Sequence, residues 1–74
     1  MQFSEAIEAM QDGKTIHDIE DSSVYKLFEG EMVMGLFEGG DIEWWWHELA
    51  YFDYDNVTSE MWEVVDEEEH QAGE

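Results

Sequence analysis

The side chains able to do chemistry here are three histidines, His17, His47 and His70, four serines at 4, 22, 23 and 59, and a large stock of carboxylates. The histidines show no metal-ligand spacing, and no serine sits in a nucleophile motif. Carboxylate pairs occur all along the chain, so none stands out for acid–base work. The glycines form no phosphate-cradling loop. The run Asp53-Tyr54-Asp55-Asn56 opens like a calcium loop. Counting from Asp53, however, position six is Thr58 and position twelve is Val64, where that loop needs glycine and glutamate. The sequence therefore predicts no catalytic residue, no metal ligand and no cofactor, and does not read as an enzyme.

Charge is the stronger signal. Twenty-one acidic residues face two basic ones, Lys14 and Lys26, for a formal net charge of -19 on 74 residues. Direct nucleic-acid binding is excluded, because it depends on cationic neutralisation of phosphates. Anionic membranes and free nucleotides are disfavoured for the same reason. A basic protein surface is the natural complement. Ordinary soluble surfaces mix both signs, and so large an imbalance costs stability through self-repulsion. Solvation alone, including halophilic solvation, is the competing explanation.

Glu29, Glu31, Glu38, Asp41, Glu43, Asp53 and Asp55 lie in or beside the central hairpins and are expected to form a rigid anionic face. Asp18, Glu20 and Asp21 extend it. Carboxylates on alternate strand residues stand about 6.6 Å apart, with neighbouring strands about 4.8 Å away. That density is comparable with duplex DNA, which carries one charge per about 1.7 Å of axis.

Aromatics supply the second candidate. Trp44, Trp45 and Trp46 are consecutive. Neither a strand nor a helix can bury all three on one side. Strand alternation groups Ile42, Trp44 and Trp46 against Glu43, Trp45 and His47. On that basis Trp44 and Trp46 are expected in the core, and Trp45 outward as an interface residue beside the carboxylates.

The elements that must position these groups follow from the patterning. Residues 3–12 read as an amphipathic helix capped by Ser4, with Ala6, Ile7 and Met10 as its apolar stripe and Gly13 as its left-handed terminator. A strand is expected near Thr15–Ile19, then a hairpin of residues 24–28 and 32–37 turning at 29–31, with Gly39-Gly40 as the next turn. Residues 42–54 fit a strand or a helix, and their aromatic content favours strand. Met61–Val65 is the last strand. The prediction is one α+β domain over residues 1–65, a helix on an antiparallel sheet of about four strands, with a disordered acidic tail at 66–74. Hydrophobic residues make up 43% of the chain, enough to argue for a folded core over acidic disorder. The acidic start, the lack of a long apolar run and the absence of cysteine fit a soluble cytoplasmic protein.

The opening "FSEAIEAMQDGKTI" resembles the F-x-E-A-hydrophobic…G-K opening of a group of small phage-encoded proteins, and "VTSEMWEVV" resembles their closing S/A-x-x-W-E-V-V strand. The group includes the Thoeris anti-defence 2-like family, which sequesters cyclic-nucleotide signals of bacterial immunity. The resemblance implies a phage origin and an α+β layout. The basic and aromatic segment that follows G-K in that family is here "IHDIEDSS", so the sequestering activity and its ligand residues do not carry over. In composition the chain is also similar to DNA-mimic inhibitors of phage origin, such as the uracil-DNA glycosylase inhibitor and several anti-CRISPR proteins. The expected function is a DNA-mimic inhibitor that occupies the basic cleft of a nucleic-acid-binding host protein in the host cytoplasm. The alternatives are a sponge for a nucleotide signal, which would place an aromatic pocket at an oligomer interface such as a homodimer's, and an acidic accessory protein without mimicry.

Overall fold

Ala6 and Met10 recur one helical turn apart, and both are buried in α1 (Phe3–Gln11). The computed structural model describes residues 1–65; the acidic tail expected to be disordered lies outside the described residues. The helix is capped by Gln2 and not by Ser4. The Gln2 amide donates to the Glu5 side chain at 3.0 Å, which satisfies a free donor and puts an anion in the first turn. At the other end Gly13, with φ of 93°, closes the helix. Its amide donates to Met10 O and that of Lys14 to Ala9 O.

Five antiparallel strands follow, one more than about four: β1 (Thr15–Asp18), β2 (Ser23–Phe28), β3 (Glu31–Glu38), β4 (Asp41–Trp44) and β5 (Trp62–Val65), in the order β4-β3-β2-β1-β5. Glu29-Gly30 and Gly39-Gly40 are two-residue turns with positive φ throughout, matched to the twist of the strands they join. Between Trp44 and Trp62 the chain crosses the helix side of the sheet and forms the short α2 (Tyr54–Thr58). The strand expected beyond Trp44 is absent. α2 starts where the Asp53 amide donates to Asn56 Oδ1 at 2.9 Å.

The core lies between α1, this crossover and one face of the sheet. Ile16, Tyr25, Met34 and Trp62 line it from the sheet. Phe3, Tyr25, Phe52 and Trp62 form an aromatic cluster, with Tyr25–Phe52 centroids 4.4 Å apart and Phe3–Phe52 4.9 Å apart. Full burial of a large apolar side chain such as that of Trp62 contributes about 1.5–3 kcal/mol. Leu27 is exposed despite its place in β2. Among the described residues, no helix is long and apolar enough to cross a membrane.

The tryptophans reverse the expected arrangement. Register sets Ile16, Tyr25 and Met34 side by side beneath the helix, and one step along sets Val24, Gly35 and Trp44 together on the opposite face. Trp44 therefore lies on the helix-free face, with Trp46 near it at 6.2 Å between ring centroids. Trp45 is half-buried and packs against the core. Gly35 makes this pairing feasible, because a Cβ there would stand 2.2 Å from the backbone oxygen of Glu43. Gly35→Ala should push β4 away, cost about 1–3 kcal/mol in urea unfolding and shift the tryptophan emission.

Candidate functional site

Asp18 ends β1 with its side chain on the core side, 1% exposed. A buried carboxylate is tolerated only with donors around it. Asn56 Nδ2 donates to its Oδ2 at 2.8 Å; Ser59 Oγ and the Glu20 amide donate to its Oδ1 at 3.0 and 3.1 Å. The second hydrogen of Asn56 Nδ2 goes to Asp21 Oδ2 at 2.9 Å. Asn56 Oδ1 accepts from the Tyr25 hydroxyl at 3.3 Å, and its main-chain oxygen accepts from Trp62 Nε1 at 3.1 Å. One buried asparagine thus ties α2 to β1, β2, β5 and the β1–β2 turn.

The effect is to gather charge at one end of the sheet. Asp18, Glu20, Asp21 and Asp55, with Thr58 and Ser59, line a cleft of about 490 Å³. Asp53 caps α2 beside it. The Phe37 amide donates to Ser22 O at 2.8 Å, so the β3–β4 turn, where Glu38 faces Asp41, lies at the same end. Tyr25 registers the field. Burial pushes its phenol far above the usual tyrosine range, the negative charges of Asp21, Asp53 and Asp18 push the same way, and a hydrogen bond with Ser23 partly offsets them.

All seven carboxylates predicted from the sequence are exposed. They do not share one face. Glu38, Asp41, Asp53 and Asp55 belong to the anionic end, with Glu43 next to it on the edge strand β4. Glu29 and Glu31 sit at the other end of β3, about 23 Å away at about 3.3 Å per residue. Of the three carboxylates expected to extend the face, Glu20 and Asp21 are exposed at this end whereas Asp18 is buried, and Asn56 organises them. Trp45, predicted to stand outward, is half-buried, with its indole N–H donating to Glu43 Oε1 at 3.4 Å.

A second concavity, also about 490 Å³, opens at the β4 edge between Met34, the three tryptophans, Glu48 and Tyr51. On the helix-free face, Lys26 Nζ lies 4.5 Å from the Trp44 ring centroid, 5.3 Å from that of Trp46 and 6.0 Å from that of Phe28. His17 stacks on Phe37 at 4.8 Å and its Nδ1 is 2.7 Å from Glu63 Oε2, which makes it part of the sheet surface. Among the described residues, no cluster of His, Asp and Glu is placed to hold a metal ion. No protein family, curated protein or solved structure matches the chain.

Asn56→Ala leaves the buried Asp18 carboxylate short of a donor and releases α2. It should cost about 3 kcal/mol by urea unfolding. The raised Tyr25 phenol stabilises the fold fully below the unfolded tyrosine value of about 10. That contribution is lost as pH rises from there toward the folded value, at up to about 1.4 kcal/mol per pH unit. Alkaline unfolding should therefore be shallower in Tyr25→Phe, measured as stability against pH.

Proposed function

We propose that the chain is a DNA-mimic inhibitor that blocks the basic cleft of a nucleic-acid-binding host protein, with no catalytic step. The observation that carries this reading is the anionic end, where Glu20, Asp21, Glu38, Asp41, Asp53 and Asp55 are exposed and grouped. Asn56 fixes the segments of Glu20, Asp21, Asp53 and Asp55, and strand pairing fixes Glu38 and Asp41, so little ordering is lost when a cationic surface docks. Their summed field speeds encounter and makes binding salt-sensitive. Grouped carboxylates of this kind stand in for the phosphates such a cleft ordinarily holds. The natural targets are nucleases, glycosylases and CRISPR or restriction effectors, met in the host cytoplasm if the chain is phage-encoded.

The β4-edge concavity, with its aromatic lining, is the feature that would suit a nucleotide signal. Glu48 lines it and Glu43 stands beside it, and both oppose a polyanion. Like charge also opposes self-association of two copies at -19 each.

Displacement of labelled duplex DNA from a panel of such enzymes tests the proposal. The protein should release DNA from at least one enzyme at about 50 mM salt, and far less at about 200 mM. Combined Glu20→Gln, Glu38→Gln, Asp41→Asn and Asp55→Asn should weaken displacement by about tenfold or more, equivalent to about 1.4 kcal/mol. No displacement across the panel, or displacement untouched by the fourfold variant, would refute it.

A further inference from the structure

We infer that the groove at the β4 edge takes an arginine side chain of the basic partner, an inference that rests on the proposed function for the partner's charge. The chain leaves β4 at Trp44, and the Trp45 amide donates to Met34 O at 2.9 Å. A turn then closes as the Glu48 amide donates to Trp45 O at 3.2 Å. This turn spreads three indoles around a concavity that Met34, His47, Glu48, Leu49 and Tyr51 also line. Met34 is buried, whereas Trp46 is 48% exposed and Tyr51 is 55% exposed. The groove therefore has a dry floor and accessible aromatic sides.

Charge complementarity chooses the occupant. Aromatic faces carry negative potential and attract cations. Glu48 lies in the lining, and Glu43, just outside it, accepts from the indole N–H of Trp45. Lys26 Nζ already sits over Trp44 and Trp46 on the helix-free face, so an incoming cation must draw its attraction from the groove side, where Glu48 lies. A guanidinium fits the groove better than an ammonium. It is planar, weakly hydrated, stacks flat on indole and still directs N–H donors at a carboxylate. A purely apolar occupant would leave Glu48 without use, and an anion would be repelled. At about 490 Å³ the groove is within the size range of side-chain and small-ligand clefts. It also lies beside Glu43, at the border of the anionic end, so one partner surface can meet both.

Indole N–H resonances of the full chain provide the test, titrated at constant ionic strength with N-acetyl-arginine amide, N-acetyl-lysine amide and N-acetyl-citrulline amide. The arginine probe should shift Trp45 and Trp46 saturably, leave the buried Trp62 still, and bind about tenfold more tightly than the uncharged citrulline probe. Lysine should fall between them. Glu48→Gln, an exposed substitution that spares the core, should reduce the arginine response several-fold. Equal responses to arginine and lysine would mean diffuse charge attraction and would overturn the inference. Equal responses to arginine and citrulline would mean apolar stacking alone and would overturn it too. Concentration-dependent sedimentation that buries Trp46, with no arginine response, would give the groove to a second copy instead. No target enzyme is needed, so failure here is separable from failure of DNA displacement.

Discussion

The side-chain amide of Asn56 donates to two carboxylates from one short stretch, Asp18 and Asp21, while its oxygens accept from Asp53, Tyr25 and Trp62. Most of these bonds are ordinary in length, and that from Tyr25 is long at 3.3 Å. Together they decide where the crossover can lie. Without a donor, the Asp18 carboxylate could not stay beneath the helix, and the β1–β2 turn would have no reason to approach α2. The aromatic cluster depends on the same residue, because the Trp62 indole is held by its main-chain oxygen and Tyr25 by its side chain. Core order and surface charge are therefore set by one interaction. The link explains how a small domain keeps like charges close: their mutual repulsion is opposed by a buried network.

Much of the architecture was legible because it is written locally. The helix shows in the spacing of Ala6 and Met10 and in Gly13. The hairpins show in Glu29-Gly30 and Gly39-Gly40. The tryptophans mark the limit of local reading. Alternation correctly separates Trp44 from Trp45, yet it cannot say which set meets the helix. That choice is made by pairing with β3, where Gly35 lies opposite Trp44 and Met34 lies on the core side. The end of β4 was also hidden, since the aromatic run looks strand-like throughout and only the turn after Trp45 and the cap at Asp53 break it.

The candidate site divides in the same way. Exposure of the carboxylates follows from their chemistry and could be read directly. Their grouping could not, because it depends on bonds between residues 35 and 38 positions apart, such as Asn56 to Asp21 and to Asp18. The four letters DYDN resemble part of a metal loop, but they instead open a short helix, and the last of the four, Asn56, organises its neighbours. A polar residue amid charged ones gives no hint that it is buried.

Among the described residues, the strand order leaves β4 and β5 with one side each unpaired. Open strand sides are templates on which identical chains add and grow into fibres. Along β4, Asp41 and Glu43 are both exposed, so a second copy adding there would set carboxylates against carboxylates. The acidity of β4 thus also acts as a barrier to self-templating, and it guards the open strand and the exposed Trp46 surface together.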